Sequence, residues 1–91
     1  MQSFQHIVAD PQGVHARPAG LLAKQAQAFA STITIRCGDQ VANAKKLYDL
    51  MRMGVKKGMT ITVEVDGEDE TAAASALQNF LTESAKKFAE N

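Results

Sequence analysis

The residues 13–20 read GVHARPAG and gather an imidazole (His15), a guanidinium (Arg17) and a proline (Pro18) within four consecutive positions. An unperturbed histidine titrates near pH 6.5, so at about neutral pH much of His15 would carry an unprotonated, nucleophilic ring nitrogen. Arg17 presents a planar fork suited to two oxygens of one phosphate. Pro18 marks a helix start, because the N–H it lacks would have no partner in a first turn. The free amides at such an end, with Ala16 supplying one of them, and the positive end of the helix dipole favour an anion. Phosphoryl transfer needs alignment and stabilisation of spread negative charge, and this cluster offers both without a metal. The chemistry it suggests is attack of His15 on phosphorus to give a phosphohistidine. A histidine ahead of a helix can equally be a solvated or capping residue, and the motif alone names no reaction. Whether the helix opens at Ala16 or Pro18 stays open by a position or two.

The rest of the chain must position that cluster. Residues 3–10, SFQHIVAD, alternate loosely, with Phe4, His6 and Val8 on one side, and run into the turn signal DPQG. Beyond Pro18, Ala19, Leu22, Ala23, Ala26 and Phe29 fall at helical steps of three and four. STITIRC (31–37) switches to period two, with Ile33, Ile35 and Cys37 on one face. Gly38-Asp39 then suits a two-residue hairpin into QVANA (40–44). KKLYDLMRMG (45–54) predicts a short helix with Leu47, Leu50 and Met53 inward and Gly54 as its stop. MTITVEVDG (59–67) alternates cleanly as a strand. The final stretch from Glu68 predicts the longest helix, with apolar residues at 73, 74, 77, 80 and 81 and acidic Asp69 and Glu70 at its start.

The order β-α-β-β-α-β-α, with Thr, Glu and Arg on the outer strand faces, predicts an α+β, two-layer open-faced sandwich. Its four-stranded, mainly antiparallel sheet carries all three helices on one face. With 91 residues and 45% hydrophobic content, one domain spanning 1–91 is expected. Ten basic and ten acidic side chains cancel, which argues against nucleic acid or anionic membrane as a partner held by bulk charge. One cysteine closes no internal disulfide, and no Cys/His spacing suits zinc, so neither metal nor cofactor is called for. No leader or membrane-spanning run is apparent, and the expected setting is the cytoplasm.

GVHARPAG, the element order, ANAKKLYDLMRMGVKKG (42–58) and VDGEDE (65–70) together resemble the histidine-containing phosphocarrier family, HPr, of the bacterial phosphoenolpyruvate-dependent phosphotransferase system. The resemblance runs over essentially the whole chain. It implies a carrier, not a self-contained enzyme, that accepts phosphate from phosphorylated enzyme I on Nδ1 of His15 and passes it to IIA domains of sugar permeases. In that scheme Arg17 stabilises the phosphoryl group and Pro18 helps fix the helix start. An apolar patch beside the histidine, here Gly20, Leu21, Leu47, Tyr48 and Met51, meets the partners. Leu21, Tyr48 and Met51 also lie off the inward stripes of their own helices, so the residues independently suggest exposure. Where many relatives carry a serine phosphorylated by a regulatory kinase, this chain has Lys46, which cannot accept that phosphate. A monomer is expected, since the carrier must meet two partners in turn.

Two other classes of function compete with the carrier. A small phosphatase of acylphosphatase-like architecture could use Arg17 as an anion clamp, but that family's signature loop is missing. A purely regulatory binder would have no chemical need for His15. Elsewhere, His6 reads as a packed or rim residue, Cys37 as a buried small hydrophobe and GEDE (67–70) as ordinary helix-start acidity. The basic run of Lys45, Lys46, Arg52, Lys56 and Lys57 reads as a solvated face that could steer an acidic enzyme I surface.

Overall fold

The computed structural model describes the backbone of residues 1–8, 16–56 and 58–89 and the side chains of residues 1–8, 20–56 and 58–83. Its elements are β1 (Gln2–Ile7), α1 (Ala16–Gln27), β2 (Thr32–Cys37), β3 (Gln40–Asn43), α2 (Leu47–Arg52), β4 (Thr60–Asp66) and α3 (Glu70–Ala89). This is the order expected from the sequence. The sheet runs β1-β4-β2-β3, and every neighbouring pair is antiparallel.

The period-two segments form the centre. β2 and β4 pair with Ile33 opposite Val65 and Ile35 opposite Val63, and all four side chains are buried. Residues i and i+2 share a face, so this register stacks Ile33, Ile35 and Cys37 beside Ile61, Val63 and Val65. Leu22, Ala23 and Ala26 of α1, Leu50 of α2, and Ala73 and Leu77 of α3 close over them in one buried cluster. Fully burying one such Ile, Leu or Val contributes roughly 1.5–3 kcal/mol. The opposite face carries Thr32, Thr34, Arg36, Thr62 and Glu64, with Arg36 Nε donating to Glu64 Oε1 at 2.5 Å. It is not wholly polar, as the Thr/Glu/Arg pattern had suggested. The edge strands add Ile7 and Val41, both exposed, where alternation continues outward from half-buried His6 and buried Ala42.

The punctuation behaves as the residue types require. Cys37 pairs with Gln40 across the two-residue loop Gly38-Asp39. Gly38 has φ +59° while Asp39 stays negative, so glycine sits at the first central position as a II′-like hairpin demands. Gly54 takes φ +65° directly after the Met53 C-cap and ends α2. Two expected boundaries shift. β1 closes at Ile7, with positions 9 and 10 outside the described residues. α2 spans six residues, because Lys46 is extended (φ −111°, ψ 109°) and Lys45 belongs to the preceding turn.

That shortening carries a correction. Leu47, expected on the inward stripe with Leu50 and Met53, is 41% exposed, whereas Leu50 and Met53 are buried. A first-turn residue on a helix this short projects past the edge of the core. Among the inward positions expected in α3, Ala73 and Leu77 are fully buried, while Ala74, Phe80 and Leu81 are half-buried.

Candidate functional site

The candidate site lies at the start of α1. The helix opens at Ala16, so Arg17 and Pro18 are its second and third residues, and this settles the boundary left open by the sequence. Pro18 therefore occupies the first turn, where no intrahelical hydrogen bond is lost. The amides of Ala16 and Arg17 precede the first amide that donates within the helix and belong to its donor-rich end. His15 lies outside the described residues, as do the side chains of Ala16, Arg17 and Pro18.

The exit of β1 and the far end of α1 are each held by hydrogen bonds. Where the chain leaves β1, the Val8 amide donates to Met59 O (2.9 Å) and the Gly58 amide to Val8 O (2.8 Å). At the far end of α1, the amides of Ala28 and Phe29 donate to Gln25 O and Ala26 O, tightening the last turn. Lys45 Nζ then donates to Phe29 O at 2.7 Å, and Gln27 Nε2 donates to Lys45 O at 2.8 Å. This reciprocal pair ties the C-terminal end of α1 to the turn that enters α2. Asn43 Oδ1 accepts from the Lys45 amide at 2.9 Å and shapes that turn as an Asx motif. α1 and α2 pack against each other, and α2 also rests on β3.

Five residues were expected to form a contact patch on these two helices. Gly20 is half-buried, while Leu21, Leu47, Tyr48 and Met51 are 52%, 41%, 78% and 45% exposed. All four large apolar side chains thus face solvent, including Leu47, which periodicity had turned inward. The nearby basic groups divide sharply. Lys45 is engaged as described, and Arg52 pairs with Asp49 one turn back at 3.5 Å. The Lys46 side chain is exposed and makes no hydrogen bond or ion pair with the described residues.

The residues given bland readings behave blandly, with one exception. Cys37 is buried on the Ile33 and Ile35 face. His6 is half-buried opposite Ile61, and burial lowers its pKa below the ordinary value of 6.5. The exception is Asp69, read as no more than helix-start acidity. Its carboxylate accepts from the Ser31 hydroxyl, the Ser31 amide (2.9 Å) and the Ala30 amide (2.8 Å). Those bonds, the Ser31 hydroxyl first, hold its pKa below the usual carboxylate value. Gly67 completes the contact, since a Cβ there would lie 2.7 Å from Ser31 Cα. An acidic residue at a helix start was visible in sequence, but its partners 38 and 39 positions away were not. Among the described residues, no group of His, Cys, Asp and Glu side chains is placed to hold a metal ion, and no helix is long and apolar enough to cross a membrane.

An open-faced sandwich whose first helix starts within HARP, beside an exposed apolar face, defines a class of small phosphocarrier domains, and comparison with known proteins bears this out. The family model described as the PTS HPr component phosphorylation site matches residues 2–83. The phosphocarrier protein HPr of Lysinibacillus sphaericus is 43% identical over 83 residues, covering 91% of this chain and 94% of that protein. Among solved structures, a mycoplasma histidine-containing phosphocarrier protein superimposes with a TM-score of 0.89 at 38% identity, covering 92% of this chain and 96% of that one. HPr-C-His from Thermoanaerobacter tengcongensis gives a TM-score of 0.88 at 31% identity, covering 100% and 99%. The chain belongs to the HPr family of the phosphotransferase system, whose members are carriers rather than catalysts. This membership sets aside the acylphosphatase-like alternative.

Proposed function

We propose that this chain acts as a single domain over residues 1–91, takes a phosphoryl group from phosphorylated enzyme I onto Nδ1 of His15, and delivers it to IIA domains of sugar permeases. The observation that carries this reading is the family match over residues 2–83, which includes GVHARPAG and an α1 that opens at Ala16. As the N–P bond to His15 forms, the bond from phosphorus to the donor breaks. Delivery runs the same exchange toward the acceptor. The Ala16 amide and the Arg17 guanidinium stabilise the three equatorial oxygens, and Pro18 fixes the helix start that aims those donors. No metal or cofactor enters the scheme, because charge stabilisation and alignment are what this step requires.

Docking falls to Gly20, Leu21, Leu47, Tyr48 and Met51. Their exposure on two packed helices supports that role, since aromatic and methionine side chains are enriched where proteins meet. Lys46 has no hydroxyl, so the serine-kinase control known in some relatives does not operate at this position. The working form is a cytoplasmic monomer.

The test is incubation of the purified chain with phosphoenolpyruvate and enzyme I. Acid-labile, alkali-stable phosphate on His15 is expected, and none on a His15→Ala chain. Equal labelling of the alanine variant would remove the proposal.

A further inference from the structure

α2 is held in place by little of its own. It spans six residues, its N-cap Lys46 makes no side-chain capping bond, and Leu50 is its single buried member. A helix of this length is unstable apart from its surroundings. Burial of Leu50 and of the Met53 C-cap seats it on the core. Apolar contact has no preferred direction, so the roll and slide of the helix fall to hydrogen bonds, which do.

Those bonds converge on half-buried Lys45, the residue before the N-cap. Its amide donates to Asn43 Oδ1 (2.9 Å), its carbonyl accepts from Gln27 Nε2 (2.8 Å), and its Nζ donates to Phe29 O (2.7 Å). A longer bond of 3.4 Å, from the Asn43 amide to Asp49 Oδ2, adds a tie to β3. Gln27 is the last residue of α1, and Phe29 lies in the turn just past it. From Gln27 back to Ala16 the helix runs twelve residues, about 18 Å. One strut thus carries the candidate phosphoryl site at its start and the clasp on α2 at its end.

We infer that Gln27 and Lys45 are a positioning pair, whose reciprocal bonds fix where Leu47, Tyr48 and Met51 stand relative to Leu21 and to the Ala16 end of α1. Two residues acting from behind the contact face thereby decide how well the partners bind. The inference rests on the carrier reading above and adds to it what holds the docking face in register. A face that spends only part of its time in the competent arrangement loses apparent affinity in proportion. Donor and acceptor use the same face, so both should feel the loss. Register rather than charge is at stake, so salt should not relieve it.

Two variants open the clasp. Gln27→Met keeps length and neutrality but lacks the donating amide, and Lys45→Met keeps the stem without the ammonium. For each, the KM for the carrier should rise about 3-fold with enzyme I and with a IIA domain, kcat unchanged, as when the competent arrangement falls to about one third. The rise should persist at about 0.5 M salt, where the Debye length is only about 4 Å. Amide hydrogen exchange should accelerate at Leu50, whose N–H closes the first turn of α2 on Lys46 O (3.2 Å), and stay native across β2 and β4. Phe4→Ala weakens the fold at β1, the sheet edge opposite the β3 edge on which α2 rests, and should keep the native KM. An unchanged KM for Gln27→Met, a Lys45→Met effect that disappears at high salt, or an equal rise for Phe4→Ala overturns the inference. A native chain that takes no phosphate from enzyme I defeats the carrier reading instead, while exchange at Leu50 still reports whether the clasp holds α2.

Discussion

The N-termini of α3 and α2 make opposite use of the same local problem. At α3, Asp69 places its carboxylate at the positive end of the helix, passes its carbonyl to the Ala73 amide at 2.8 Å, and gathers three donors from Ala30 and Ser31. One residue thereby starts a helix and locks the β4–α3 turn against the junction of α1 and β2. At α2, Lys46 likewise passes its carbonyl to the Leu50 amide at 3.2 Å, but its side chain caps nothing and gathers no donors. Its helix is instead seated from below by Leu50 and from the side by the Lys45 and Gln27 hydrogen bonds, and its outward residues stay free. The contrast separates an end that holds the sandwich together from an end whose outward residues are presented to solvent. Stability should therefore respond to Asp69 and transfer to α2, with little crossover.

The largest effect on folding is expected at Asp69. Asp69→Ala leaves the Ala30 amide, the Ser31 amide and the Ser31 hydroxyl without their acceptor, and should lower Tm by ~10 °C in thermal unfolding. The acid limb of the stability profile sharpens the point. The folded-state pKa of Asp69 lies below its ordinary value of 3.8, so its contribution is complete above that pH and is lost as the pH falls through the folded value. An Asp69→Asn chain should start less stable at neutral pH and lose less than the native chain between pH 4 and acid, at about the range where carboxylates protonate. Equal acid slopes for the two would place the titrating group elsewhere.

At α2 the expected effect on folding is the smallest. Tyr48 is 78% exposed, so Tyr48→Ala should change stability by no more than about 0.5 kcal/mol, as for most surface substitutions. The same change should slow phosphoryl uptake from enzyme I several-fold at limiting carrier, read as KM, because interface tyrosines supply rigid contact area. A Tyr48→Ala chain that unfolds readily yet transfers normally would reverse the division drawn between the two helix ends.

Much of this architecture was legible in the residues. Ile33-Ile35-Cys37 and Ile61-Val63-Val65 announced two half-buried strands by period alone, and Gly38 and Gly54 announced their turn and stop through conformations that side chains disfavour. Leu47 departs from its expected inward place because a face spaced at 47, 50 and 53 assumes a full helix, and the extended backbone of Lys46 removes the turn that would carry Leu47 inward. Asp69 exceeds what its sequence position announces for a different reason. Its helix-start position is a local property, while its grip on Ser31 depends on β2 and β4 lying side by side and on Gly67 allowing close approach. The Lys45 bond to Phe29 is invisible for the same reason, as nothing near Lys45 in sequence marks a carbonyl 16 positions away. At the candidate site, GVHARPAG located the helix start to within two residues, and its imidazole lies outside the described residues.

The most direct measurement isolates chain phosphorylated with radiolabelled phosphate, frees it of enzyme I, and mixes it with a IIA domain while label is followed on both proteins and in solution. A carrier should lose its label as the IIA domain gains it in equal amount, with little inorganic phosphate released. Label that leaves the chain as free phosphate at the same rate with or without the IIA domain would contradict the account.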